Sequence, residues 1–190
     1  MSLTAQSPQP SLAWQFEGTT TDSVTGLSPT STVGTPTYVS GKYGQSIKFV
    51  NPGGTTVNYI SYSIPSYYPT SFTWAYWVSC AQIPALNIQF PVYFTDSLAS
   101  STQMRVGLNP GSGQGNGLKF YIYNGSGYLF SPTITQDTWY HICVVLTPGA
   151  GGSTATFYHN GSLVGSFVLT NIKLQQSLIC MSVRQILNMA

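Results

Sequence analysis

Hydrophobic and polar positions alternate along this chain in short runs with a period of two, and no stretch sustains the 3.6-residue period of a long helix. The clearest run is Phe72-Thr73-Trp74-Ala75-Tyr76-Trp77-Val78. Its alternation sets Phe72, Trp74, Tyr76 and Val78 on one face and Thr73, Ala75, Trp77 and Ser79 on the other. Each face carries an aromatic ring, which predicts a central strand covered on both sides. Runs rich in Val, Ile, Thr and aromatics recur between Gly, Pro, Asn and Ser clusters. They predict strands at Leu12–Glu17, Gln45–Val50, Asn58–Ile64, Phe72–Cys80, Phe90–Thr95 and Gln103–Leu108. Further strands are predicted at Leu118–Tyr123, Tyr128–Ser131, Trp139–Leu146, Ala155–His159, Ser162–Leu169 and Ser177–Val183.

The turns between these runs have their own chemistry. Asn160-Gly161 stands between Thr156-Phe157-Tyr158 and Leu163-Val164, a strong hairpin signal, because both central residues of a type I′ turn need positive φ. Asn124-Gly125 predicts a second turn of this kind. Asn160-Gly161-Ser162 and Asn124-Gly125-Ser126 also match the glycosylation acceptor pattern, although turn formation already accounts for both. The glycines at 111, 113, 115 and 117 predict a loop, not a dinucleotide fingerprint, since no helix follows them.

Charge changes the picture more than any motif. Lys and Arg number six and Asp and Glu four, so charged residues make up 5% of the chain where roughly 25% is ordinary. Acid–base catalysis, hard-metal binding and phosphate recognition all draw on such groups. A net charge of +2 without a basic run leaves no footprint for nucleic acid. No run approaches the roughly 18 apolar residues of a membrane span. Residues 1–10, rich in Pro, Ser and Gln, carry no signal-peptide pattern and are expected to form an extended arm. Cys80, Cys143 and Cys180 are odd in number and sit in apolar runs, which predicts buried thiols acting as small hydrophobes.

Taken in order, five segments resemble the laminin-G-like, concanavalin A-like superfamily. They are Trp14-Gln15-Phe16-Glu17 followed by Asp22-Ser23, Gly41-Lys42-Tyr43-Gly44 leading into Gln45–Phe49, the tryptophan strand Phe72–Val78, Trp139-Tyr140-His141 opening a strand, and Phe157-Tyr158-His159-Asn160-Gly161. The resemblance implies an all-β fold, an antiparallel two-sheet jelly-roll β-sandwich, here placed at 11–183 with 184–190 as a C-terminal tail. It departs from the family after residue 170, where the usual closing strand with its acidic pair is missing. An unclosed edge of this kind is expected to be covered by a partner chain.

Each chemistry open to the superfamily can be weighed against the residues. Glycoside hydrolysis needs two carboxyls flanking the scissile bond, and no predicted strand holds two acids; Glu17 and Asp22 read as turn-forming. His141 reads as a half-buried strand residue, His159 as flanking the hairpin, and Asp137 as closing a turn before Trp139, so no catalytic residue is assigned. The family implies calcium at one rim, for which Asp96 and Asp137 are the available donors, too few for its six to eight oxygens. No metal or cofactor is expected. Tyr59, Tyr62, Tyr67 and Tyr68 crowd one stretch and are the candidate binding residues, as a glycan platform or a subunit contact. The expected function is a non-catalytic structural protein of a large assembly, a viral minor capsid or virion surface protein held by other subunits, with a carbohydrate-binding adhesion module as the alternative.

Overall fold

The computed structural model describes residues 10–50, 58–63, 71–80, 89–94, 104–109, 119–123, 128–150, 152–169 and 185–188. Thirteen strands follow one another among these residues: β1 (Ser31–Val33), β2 (Thr37–Ser40), β3 (Gln45–Lys48), β4 (Tyr59–Ser61), β5 (Phe72–Cys80), β6 (Gln89–Phe94), β7 (Met104–Asn109), β8 (Lys119–Tyr123), β9 (Tyr128–Phe130), β10 (Tyr140–Gly149), β11 (Gly152–His159), β12 (Ser162–Leu169) and β13 (Gln185–Asn188). No helix of the described residues is long and apolar enough to cross a membrane.

A seven-stranded antiparallel sheet runs β12-β11-β10-β5-β13-β3-β2, a four-stranded one runs β6-β7-β8-β9, and β1 pairs with β4 in a small ribbon. The fold is the expected all-β antiparallel sandwich. Its large sheet is organised by the alternation of β5 and β10. In their register Tyr76 stands opposite Ile142 and Trp74 opposite Val144, so both strands turn the same apolar set inward. Tyr76, Val78, Ile142, Val144, Ala155 and Phe157 are all fully buried there, with Ile47 and Phe49 from the β3 side. On β12, Gly165 lets Leu129 approach: a Cβ on Gly165 would stand 3.2 Å from Leu129 Cδ2. Leu129, next to β9's Tyr128, packs against the core cluster and so ties the small sheet to the large one.

Two expectations change. Leu12–Glu17 does not form a strand, although Trp14 and Phe16 are buried as a strand's alternate residues would be. Phe16 takes a φ of 56° and Gly18 one of 74°, which breaks the extended run. The segment is held instead by Asp22, whose carboxylate accepts the Ala13 N–H, while Ser23 N–H donates to Ala13 O at 2.8 Å. The second change concerns the C-terminal end of the chain. Gln185–Asn188, placed outside the sandwich as a tail, pairs with β5 on one side and β3 on the other. This chain itself therefore supplies the strand that the sequence pattern left missing, and the described edges of the large sheet are β12 and β2. The N-terminal arm at residues 1–9 and the predicted strand at Ser177–Val183 lie outside the described residues.

Candidate functional site

The outer face of the large sheet gathers Trp77 and His141, which stand opposite each other on β5 and β10. Alternation requires this placement: their neighbours Tyr76, Val78, Tyr140 and Ile142 fill the core, so the odd-numbered residues must face away from it. The two rings lie 5.2 Å apart, tilted at 53°.

Three turns complete the surroundings. Asn160 and Gly161 take φ values of 50° and 78°, the turn that the Asn-Gly pair predicts. Asn160 also locks that turn to β10, because His141 N–H donates to Asn160 Oδ1 at 2.8 Å and Asn160 N–H donates to His141 O at 2.8 Å. Asp137, with a φ of 54°, donates its N–H to Cys80 O at 2.8 Å and so fixes the approach to Trp139 against the end of β5. On the opposite side Gly41 N–H donates to Gly44 O at 2.9 Å, closing a turn that carries Lys42 and Tyr43. The Glu17 carboxylate clamps this turn by accepting the Gln45 N–H at 2.9 Å. Gly44, at a φ of 57°, has no room for a Cβ beside that carboxylate.

The result is an open cleft of about 490 Å³ lined by Lys42, Trp77, Trp139, His141 and Asn160. Lys42 Nζ lies 5.2 Å from the centroid of the Trp77 ring, a cation–π distance. Tyr43 meets Trp77 edge-on at 5.9 Å and is 63% exposed. Burial depresses the His141 imidazole below its ordinary value, so it stands neutral at pH 7. Aromatic walls, one ammonium and amide and imidazole groups can stack on and hydrogen-bond a polar ligand. Among the described residues the lining holds no carboxylate and no nucleophile paired to a base.

Of the four tyrosine candidates, Tyr59 and Tyr62 fall among the described residues, and neither lines the cleft. Tyr62 is fully buried, against Trp14 with ring centroids 4.9 Å apart, and donates its hydroxyl to Thr20 O at 2.5 Å. It is a core residue and cannot form part of a glycan platform, because its ring and its hydroxyl are already spent inside the fold. Burial accordingly pushes its hydroxyl far up in pKa. Tyr59 is half-buried in the β1–β4 ribbon, opposite Val33, and Tyr67 and Tyr68 lie outside the described residues. Asp137 serves its turn as expected, whereas Asp96 lies outside the described residues. Among the described residues no three His, Cys, Asp or Glu side chains gather as a metal site. His159 is buried and stacked on Tyr140 at 5.1 Å. Cys80 is buried and Cys143 half-buried, the latter pushed up in pKa by burial; Cys180 and Asn124 lie outside the described residues. The cleft residues were each visible in the sequence, but only the pairing of β5 with β10 brings them together.

Known proteins with this architecture are diverse. Domain 4 of AbnA, an extracellular arabinanase from Geobacillus stearothermophilus solved with arabinotriose, superposes with a TM-score of 0.65 at 15% identity, covering 94% of this chain and 88% of that one. The endo-β-1,4-glucuronan lyase of Trichoderma reesei gives 0.54 at 11% identity, over 82% and 84% of the two chains. The enzymatically active domain of tailspike protein 2 from bacteriophage CBA120 gives 0.55 at 16% identity, over 84% of this chain and 27% of that one. Among curated protein sequences none matches. Such identities speak for the fold alone, but residues 53–179 match the family model of the concanavalin A-like lectin/glucanases superfamily, and the chain belongs to that superfamily.

Proposed function

We propose that this protein is a non-catalytic carbohydrate-binding module and that the Lys42–Trp77–Trp139–His141–Asn160 cleft is its binding site. The observation that carries this reading is the convergence of two tryptophans with the imidazole of His141 and the amide of Asn160 in one open cleft on the sheet's outer face. Sugars offer apolar C–H faces to such rings and hydroxyls to such polar groups. Binding needs no acid pair, whereas glycoside hydrolysis generally does, and among the described residues the cleft lining contains none. The arabinotriose-bound domain of AbnA supports the reading by showing a saccharide held on this architecture. An extracellular or virion-associated setting follows from the same ligand class.

A glycan array probed with the labelled protein, followed by calorimetry on the best hit, tests this. Trp139→Ala should abolish binding while leaving the thermal midpoint within a few degrees. Binding undiminished in that variant, or no saturable binding to any glycan, would overturn the assignment.

A second reading, a subunit of a virion or other large assembly, is favoured by β12. This eight-residue edge strand carries no charge and no proline, and Leu163 and Val168 are 64% and 54% exposed. Such an edge invites pairing with another chain. Light scattering that shows a monomer at high concentration would count against it. The two roles are compatible, since a virion surface protein can present a glycan site.

A further inference from the structure

We propose that the cleft selects saccharides bearing an anionic substituent, a carboxylate or a sulfate, and that Lys42 is the residue that reads it. This rests on the carbohydrate-binding reading above. The first reason is what covers Trp77. A neutral sugar stacks on a bare aromatic plate, but the face of this indole is capped by the Lys42 ammonium at 5.2 Å, with Tyr43 edge-on and His141 tilted against the same ring. The group a ligand meets there is therefore a cation. An anion binds Lys42 where it already sits, whereas a sugar face seeking the ring must first displace it.

The second reason is the balance of polar groups. Asn160 Oδ1 already accepts the His141 N–H, which leaves that side chain two amide donors against one remaining lone pair. Lys42 and the two indoles are donors only. The cleft thus presents a surplus of donors and one positive charge, which suits an oxygen-rich, negatively charged partner. The third reason is that the charge is not neutralised from within. Among the described residues the lining contains no acid. The Glu17 carboxylate accepts the Gln45 N–H, Asp22 is enclosed by Ala13 and Thr25, and Asp137 is tied to Cys80 O through its backbone N–H. In a chain with six basic side chains in all, one of them placed on an aromatic wall without a counter-charge is a specific provision. The ring also holds the exposed ammonium in position at the cleft.

The test is calorimetry of the intact chain with three tetrasaccharides: tetragalacturonate for the carboxylate, a heparin-derived fragment for the sulfate, and cellotetraose as the neutral control. At least one acidic probe should bind about tenfold or more tightly than cellotetraose, with the advantage shrinking as salt is raised from low ionic strength to about 0.5 M. Lys42→Met should erase the advantage and Lys42→Arg should retain most of it. Which acidic probe binds decides between carboxylate and sulfate. Cellotetraose binding equally or better, or an acidic preference that survives Lys42→Met, would overturn the selectivity while leaving the carbohydrate-binding reading intact. If no probe binds and the array is also blank, both fail together.

Discussion

Strand β5 carries two aromatic clusters on opposite faces, and the protein uses them in opposite ways. Inward, Trp74 joins Trp14, Tyr62 and Tyr76, with Trp14 centred 4.9 Å from Tyr62 and 6.2 Å from Trp74. Outward, Trp77 joins Tyr43 and His141 under the Lys42 ammonium. The residue types are the same and Tyr76 and Trp77 are consecutive. What separates them is enclosure. Trp14 is 2% exposed and Tyr62 and Tyr76 are fully buried, with the partly buried Trp74 packed against that core. The outer rings, Trp77 half-buried beneath Lys42 and Tyr43 63% exposed, are steadied by turns. The inner cluster therefore holds the fold and the outer one is free to bind, so mutations in the two should separate stability from binding.

The largest effect is expected at the inner cluster. Trp14→Ala should cost about 3–5 kcal/mol, read by denaturant unfolding, because it leaves a cavity among rings with no room to collapse. Next comes Asp22, which bridges the N-terminal segment to its turn. Burial alone would raise its carboxyl, but hydrogen bonds from the Thr25 hydroxyl and the backbone of Ala13, Thr25 and Val24 outweigh that and hold it below the ordinary value. A depressed carboxylate contributes stability that is full above about pH 4 and is lost as pH falls through its lower folded value. His141, held neutral by burial, loses stability in the same direction, as pH falls from about 6.5 through its own lowered value. Asp22→Asn should cost roughly 2–3 kcal/mol at pH 7 and flatten the acid limb of the stability profile below about pH 4.

Smaller effects sharpen the contrast. Gly44→Ala forces a side chain into a left-handed φ against the Glu17 carboxylate. It should cost about 1–3 kcal/mol in unfolding experiments and also weaken saccharide binding, because the turn it distorts carries Lys42 and Tyr43. Trp77→Ala should cost only about 1–2 kcal/mol of stability, yet remove measurable binding, since that ring faces outward and supports the ammonium.

How much of this was legible differs between the two clusters. The alternation in Phe72–Val78 already assigned Trp74 and Tyr76 to one face and Trp77 to the other, and Asn160-Gly161 already specified its turn. The inner cluster could be inferred because burying apolar rings needs only a period. The cleft could not, because it depends on register: His141 meets Trp77 only through the pairing of β5 with β10, and Lys42 reaches them through a turn clamped from Glu17. The crowding of Tyr59, Tyr62, Tyr67 and Tyr68 in sequence says nothing about exposure. Tyr62 shows this, alternating into the core one residue beyond β4. The strands β1, β2 and β13 were missed because short segments rich in Ser, Thr and Gln carry little hydrophobic signal and are stabilised by their neighbours in the sheet.

The chain's four tryptophans divide evenly between the clusters, Trp14 and Trp74 inward and Trp77 and Trp139 at the cleft. Titrating the isotopically labelled protein with the saccharide and following the four indole N–H resonances by NMR tests the central claim directly. The expected result is that Trp77 and Trp139 shift saturably while Trp14 and Trp74 stay in place. Saturable binding that leaves Trp77 and Trp139 unmoved would contradict the account.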